Sequence, residues 1–301
     1  MLIHTRCPID GSDDADRELY AASFDFSQVT PETFSARRRP DRVHYRMVRN
    51  ERTGCVRADP ILDAETLLRL YRESTVTDEA TAQSAADTYR RYLGRALPRL
   101  PDRRGALEVG CGHGPFLHHL RALDFDTVRG VELSADAVQR ADAAVRPHIV
   151  QKPLTRDLFK PESFSLVCGF QVLDHLADPN ACLQACRAVL APAGVMFWVC
   201  HDIGAIIPRA LGKRCPLIDI EHVVLYDRKT LRALFENNGF EVRAIFGIWN
   251  RYPLHYWAHL APLPGGVKAA ARAILDWTGL GRWRPRANFG NMGIIAQKPR
   301  K

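Results

Sequence analysis

Up to about residue 60 charged and apolar positions mix with little periodicity, and further along the chain the rhythm changes. From about residue 105 short apolar runs alternate with stretches of helical spacing: ALEVGC (106–111), VRGVEL (128–133), HIVQ (148–151), SLVCGF (165–170) and VMFWVC (195–200). Most are apolar throughout, the pattern of strands covered on both faces. The helices between them are marked at their starts. Pro115 sits where a missing N–H costs nothing, Ser134 and Asp227 stand at N-cap positions, and Asp178 precedes Pro179. Asn238-Gly239 supplies a stop. EVRAIFGIW (241–249) and MGIIAQK (292–298) add two late strands without helices directly around them. Strand–helix alternation of this kind predicts an α/β fold, a doubly wound and mostly parallel sheet.

Two connections break the alternation. Residues 201–226 form a long link after the fifth strand, and residues 250–291 separate the last two strands, far beyond ordinary loops of roughly 2–6 residues. Insertions of this length tend to carry function because the sheet fixes their ends. In the second, Val267, Ala270, Ala271, Ile274 and Leu275 recur at helical spacing and predict one apolar face of a short helix. The expected organisation is an N-terminal appendage (1–60), a main domain (61–301), and a cap within it (250–291).

With 46% apolar and 25% charged residues the chain has the composition of a globular protein. No run approaches the roughly 18 apolar residues of a membrane span, and MLIHTRCPIDGSDD has no apolar h-region. The eight cysteines read as free thiols of a cytoplasmic protein rather than a disulfide framework. Net charge is +8, and all of it lies in the last 51 residues, the first 250 being balanced. Such a local excess points to one anionic contact, or to a solvated tail.

The chemistry concentrates in LEVGCGHGPF (107–116). Glu108 closes a strand, and Gly110, Gly112 and Gly114 form the turn into a helix, where backbone can approach a ligand and the helix N-terminus favours negative charge. Pro115 stands where a dinucleotide fingerprint needs its third glycine. The next strand ends in Glu132, 18 residues beyond Gly114, placed to accept hydrogen bonds from ribose hydroxyls.

These segments resemble, in order, the motifs of the class I S-adenosylmethionine-dependent methyltransferases over roughly residues 62–301. LEVGCGHGPF is similar to the first motif and VRGVELS (128–134) to the second strand. SFSLVCGFQVLDHLADP (163–179) is similar to the fourth strand and its turn, APAGVMFW (191–198) to the fifth, and TLRALFENNGFEV (230–242) to the last helix and the strand it enters. The resemblance implies a seven-stranded Rossmann-like sheet with an antiparallel last strand, and S-adenosylmethionine as cofactor. It places Gly110, Gly112 and Gly114 against the methionine half, Glu108 at the loop or the methionine amino group, Glu132 at the ribose, and Phe170 and Gln171 beside the sulfonium. The adenine has no clear partner, since the third-strand turn reads QKPLTRD.

Ligands of open α/β sheets sit beyond the carboxyl edge, and three His/acid groups fall there. Asp174-His175 is read as a brace of its turn, His201-Asp202 as a contact to the acceptor, and Asp219-Ile220-Glu221-His222 as the source of the base, His222, with Glu221 beside it. The insertion adds Lys268, Arg272, Arg282, Arg284 and Arg286 with Trp277 and Trp283. Its helix is read first as a cap packed on the core, and second as a peripheral membrane contact through residues 265–286.

The N-terminus resembles the zinc ribbon that opens many such enzymes, in an eroded form. Cys7-Pro8-Ile9-Asp10 keeps one cysteine and Asn50-Glu51-Arg52-Thr53 keeps none, so no metal is expected. The resulting expectation is methyl transfer to oxygen of a small-molecule, saccharide or lipid-linked acceptor. The alternatives are an RNA methyltransferase or a non-catalytic S-adenosylmethionine-binding protein. Nucleic acid is disfavoured because the fourth strand ends in GFQVL, not an Asn/Asp-Pro-Pro-aromatic turn, and because basic residues do not spread along the chain.

Overall fold

The computed structural model describes residues 1–23, 43–74 and 79–300. Every apolar run named above contains a strand: β1 (Ala106–Val109), β2 (Val128–Val131), β3 (Ile149–Val150), β4 (Phe164–Phe170), β5 (Leu190–His201), β6 (Glu241–Gly247) and β7 (Asn291–Gln297). They form one seven-stranded sheet in the order β3-β2-β1-β4-β5-β7-β6. β1 to β5 pair in parallel, whereas β7 runs antiparallel to both β5 and β6. β5 starts earlier than its apolar run predicts, directly after the helix Pro179–Val189, and its register to β4 breaks between Leu190 and Val195. Ala193 takes a φ of 58° within that break.

The caps hold. Ser134 accepts from Ala137 N, Asp178 from Ala181 N, and Asp227 forms a capping box with Thr230. Both faces of the sheet are buried, as the uniformly apolar strands require. Met196, Trp198 and Cys200 of β5 join one core cluster, and Val195, Phe197 and Val199 join the other, with Phe116 and Tyr89 from the helices Pro115–Arg121 and Glu79–Leu93. Alternation along one strand thus feeds two cores.

Residues 1–60 do not stand apart. Strands Asp16–Tyr20, Met47–Asn50 and Val56–Ala58 make a small antiparallel sheet completed by Val224–Leu225 from the long link. Tyr45, Met47, Cys55 and Val56 belong to the same core cluster as Trp198 and Leu231. The expected boundary at residue 60 therefore crosses a continuous core; residues 24–42 of that segment lie outside the described residues. All eight cysteines are free.

The insertion holds helices Leu254–Leu260 and Gly265–Trp277. The second helix forms where its spacing predicts, yet none of its residues is buried, and Ile274 and Trp277 are 59% and 87% exposed. The cap packing expected for it is not met. The shorter helix takes that place: Tyr256 and Trp257 pack against the core, and Trp257 lies 4.5 Å from the Phe289 ring. Among the described residues no helix is long and apolar enough to cross a membrane.

Candidate active site

The glycine turn leaves β1 with Gly110, Gly112 and Gly114 all at positive φ, of 68°, 55° and 85°. A Cβ on Gly110 would meet Val172 Cγ2 at 2.5 Å, and one on Gly114 would meet Val145 Cγ2 at 2.9 Å, whereas a Cβ on Gly112 would project into open space. The outer two glycines are packing requirements. The middle one faces the side on which a ligand can approach.

Glu132, at the end of β2, is tied into this turn. Its Oε2 accepts from Gly112 N at 2.8 Å, and its Oε1 accepts from Leu133 N and Ser134 N at 2.7 and 2.8 Å. A carboxylate has about four lone-pair sites and three are taken, so acceptor capacity is left for one more hydrogen bond. Glu108 is different. It is buried, its Oε2 has no hydrogen-bond partner among the described residues, and burial, with Glu132 nearby, pushes its carboxyl well above the usual range. A buried carboxyl oxygen without a partner is costly unless a further group meets it.

β4 ends in Phe170 and Gln171. Phe170 stacks on Tyr89 at 4.6 Å and meets Phe116 edge-on at 4.5 Å. Gln171 holds a φ of 56°, unusual for a non-glycine residue, and its side chain is fixed at both ends. Nε2 donates to Asn291 Oδ1 at 2.7 Å, and Oε1 lies 2.6 Å from His201 Nδ1. A strained backbone and a locked side chain thus coincide at the carboxyl edge of the sheet.

Beyond Gln171 the three histidines come together. His222 sits between the other two, its ring centroid 4.8 Å from that of His175 and 4.7 Å from that of His201. The link reaches this place because Val223 N donates to Asp174 O at 2.8 Å and Ile203 N to Tyr226 O at 2.9 Å. Asp174 Oδ2 lies 3.2 Å from His201 Nδ1, and Asp219 Oδ1 3.1 Å from His222 Nδ1. The carboxylate partner of His201 is therefore Asp174. Its sequence neighbour Asp202 turns away to Gly204 N and Arg228, as adjacent residues on a strand must. His175 joins the cluster, with Nδ1 3.2 Å from Tyr71 Oη.

The electrostatics split the cluster. Burial holds the His201 imidazole down to about 3. His222 is equally desolvated, but Asp219, Asp174 and Glu221 outweigh this and lift it to about 9. Asp174 and Asp219 are both lowered, by charge interactions with the histidines that overcome burial. Glu221 is 8% exposed, the neighbour of His222 in sequence and in charge. Tyr71 and Asn291, which the sequence reading does not single out, are the second partners of His175 and Gln171. Neither lies in a recognisable motif.

A cavity of about 310 Å³ opens beside Asp219, between the link and the insertion, lined by Arg214, Cys215, Leu263 and Lys268 among others. A larger cleft of about 500 Å³ around Glu162 and Lys298 lies at the amino edge of the sheet, away from this chemistry. In the N-terminal sheet, Cys7 meets Cys55 and Thr53, and its thiol is held at about 6, mainly through the hydrogen bond to Cys55. Cys55 stands outside the positions taken for the second cysteine pair.

A doubly wound sheet with an antiparallel seventh strand, a glycine turn and an acid closing the second strand defines a class I methyltransferase fold. A family model described as "Methyltransferase domain" matches residues 82–245, more than half of the chain, and the chain belongs to that family. The cofactor of this class is S-adenosylmethionine. The residues present fit it: Glu108 Oε2 has no other partner, and the open side of Gly112 leaves room beside the turn.

The chain is 35% identical over 135 residues to a ubiquinone biosynthesis O-methyltransferase of Cereibacter sphaeroides, covering 42% of this chain and 51% of that one. It thus spans about half the length of the curated relative it matches. Among solved structures, a chain of the Haloferax volcanii complex between the Trm112 methyltransferase activator and a methyltransferase superposes with a TM-score of 0.50 at 18% identity, over 74% of this chain and 94% of that one. An S-adenosylmethionine-dependent methyltransferase of Archaeoglobus fulgidus gives 0.49 at 16% identity, over 78% and 100%.

Proposed function

We propose that the protein transfers the methyl group of S-adenosylmethionine to an oxygen of a small hydroxylated acceptor, in the range of saccharide and lipid-linked compounds. One observation carries this reading: three imidazoles with Asp174, Asp219 and Glu221 gathered directly beyond Gln171. Bound S-adenosylmethionine supplies an activated methyl group, so the chain has to align an acceptor oxygen and receive its proton. The oxygen chemistry named for the Cereibacter relative supports the same choice.

The roles follow from the contacts. Glu132 receives a ribose hydroxyl, Glu108 the methionine ammonium, and Gly110, Gly112 and Gly114 shape the backbone around them. Phe170 closes the wall behind the methyl group, and Gln171 fixes His201. His201 has Nδ1 against Gln171 Oε1, which leaves Nε2 to take the acceptor's proton, while His222 is the charged imidazole beside it. Glu221 and Asp219 balance the charge on His222. Arg214 and Lys268 line the neighbouring cavity and suit an anionic acceptor.

A second observation favours a lipid-linked acceptor met at a membrane surface. Ile274, Trp277 and Trp283 are exposed on the insertion, and Arg272, Arg282, Arg284 and Arg286 are close to them in sequence. The deciding experiment is transfer of labelled methyl to hydroxylated aromatic, saccharide and polyprenyl-linked compounds, with the product located by mass spectrometry. Methyl on oxygen is expected, lost by about 10²–10⁴-fold in His201→Ala and in His222→Ala. Methyl on nitrogen, carbon or RNA overturns the proposal.

A further inference from the structure

The cluster beyond Gln171 also has the donors of a cation site. Asp174 is fully buried, its Oδ2 is occupied by His201, and its Oδ1 has no hydrogen-bond partner among the described residues. Ligand-type atoms of Asp174, His175 and His222, one from each, lie within 4.8 Å of one another. His222 Nδ1 lies 3.1 Å from Asp219 Oδ1, in ion-pair contact without hydrogen-bond geometry. His175 is held through Nδ1 by Tyr71 Oη at 3.2 Å. Metal-bound histidines are oriented in this way, by a partner on the nitrogen that does not bind.

Charge points the same way. Asp174 faces His201 and Asp219 faces His222. Among the described residues neither Asp174 nor Asp219 has a Lys or Arg in ion-pair contact, since each faces a histidine. Buried carboxylates in excess over their cations call for a further positive charge.

We propose that Asp174, His175 and His222 bind a first-row divalent cation, with a further position open toward His201 and Gln171. Two imidazole nitrogens and one carboxylate oxygen suit zinc or a similar ion, whereas magnesium and calcium take oxygen shells. Ligand atoms around a tetrahedral zinc, with bonds near 2.1 Å, are about 3.4 Å apart, so the three side chains draw together on loading. The open position is where an acceptor oxygen is polarised and loses its proton more readily. That role rests on the methyl-transfer reading above; binding of the cation does not. The site also departs from the sequence expectation that the chain holds no metal, which considered only the N-terminal cysteines.

Full-length protein stripped with a chelator and titrated with zinc by calorimetry tests this, with elemental analysis for stoichiometry and cobalt(II) absorption for the donor set. One zinc per chain is expected, with visible cobalt bands of a low-coordinate nitrogen–oxygen site. His175→Ala, His222→Ala and the near-isosteric Asp174→Asn should each weaken zinc by about tenfold or more. Cys7→Ser should leave it unchanged. Binding of S-adenosylmethionine, carried by other residues, shows that each variant is folded. No uptake by the folded wild type, or uptake that survives Asp174→Asn and vanishes with Cys7→Ser, overturns the site. Zinc bound as expected while no acceptor is methylated leaves the site standing and removes the methyl-transfer reading.

Discussion

The N–H of Gly112 donates to Glu132 Oε2 at 2.8 Å, so the middle glycine of the turn and the acid that closes β2 form one unit. Replacing Glu132 by Ala removes the anchor of the turn together with the acceptor proposed for a ribose hydroxyl. One charge-assisted hydrogen bond, at about 1.5–3 kcal/mol, is then lost from the cofactor. Calorimetric affinity for S-adenosylmethionine should fall by at least about tenfold, and unchanged affinity would show the acid to be misassigned.

On the proposed role of Glu108, cofactor binding should depend on pH. Burial, with Glu132 nearby, raises its carboxyl well above the ordinary value in the folded protein. The stability tied to its proton is complete below the unfolded value and is lost as pH rises through the folded one. Glu108→Gln should therefore raise the melting temperature of ligand-free protein at pH 8 and change it little at pH 4. An ammonium placed beside Glu108 ionises it, so wild-type protein should release a proton on binding, and affinity should rise with pH. Calorimetry in buffers of different ionisation enthalpy reads this directly. Proton release that persists in the Glu108→Gln protein would assign it to another group.

Gly169, in the middle of β4, lies under the Trp198 ring, where an added Cβ would come within 2.5 Å of Cζ3. Trp198 is fully buried between the sheet and the N-terminal strands and has nowhere to retreat. Gly169→Ala should cost about 1–3 kcal/mol by overpacking, read as a lower denaturant midpoint at unchanged slope. Gly112→Ala also sits at positive φ but in open space, and should leave the core intact.

The sheet was legible because β1, β4 and β5 are buried on both faces, a condition that writes itself into composition. Ser134, Asp178 and Asp227 were legible because capping is local. The convergence of His175, His201 and His222 was not, since it depends on the link folding back so that Val223 pairs with Asp174. Periodicity carries no record of that contact. Sequence adjacency even misdirects, pairing His201 with Asp202 where the strand sends the two side chains opposite ways. Cys55 escaped for a similar reason: it meets Cys7 from a turn 48 positions further along the chain, outside the motif spacing. The Gly265–Trp277 helix shows the converse limit. Its amphipathic spacing predicted a helix correctly but could not say what, if anything, the apolar face would meet.

That uncovered face gives the last prediction. Ile274, Trp277, Leu280 and Trp283 are each more than half exposed, and the exposed Arg272, Arg282, Arg284 and Arg286 are interspersed with them in sequence. Tryptophan with surrounding arginines is the composition of a helix lying in a bilayer interface. Each basic residue near an anionic surface contributes about 1 kcal/mol, and the attraction fades within a Debye length of about 8 Å at physiological salt. The protein should co-sediment with phosphatidylglycerol-rich vesicles and release at high salt. Replacing Arg282, Arg284 and Arg286 with Ser should weaken the partition by about 10²-fold, and Trp277→Ser with Ile274→Ser should remove the salt-resistant remainder. Because none of these side chains is buried, melting temperature and affinity for S-adenosylmethionine should stay at wild-type values in all of them. Equal sedimentation with neutral phosphatidylcholine vesicles would rule out the charge component, and no sedimentation with either would assign the exposed face to another partner.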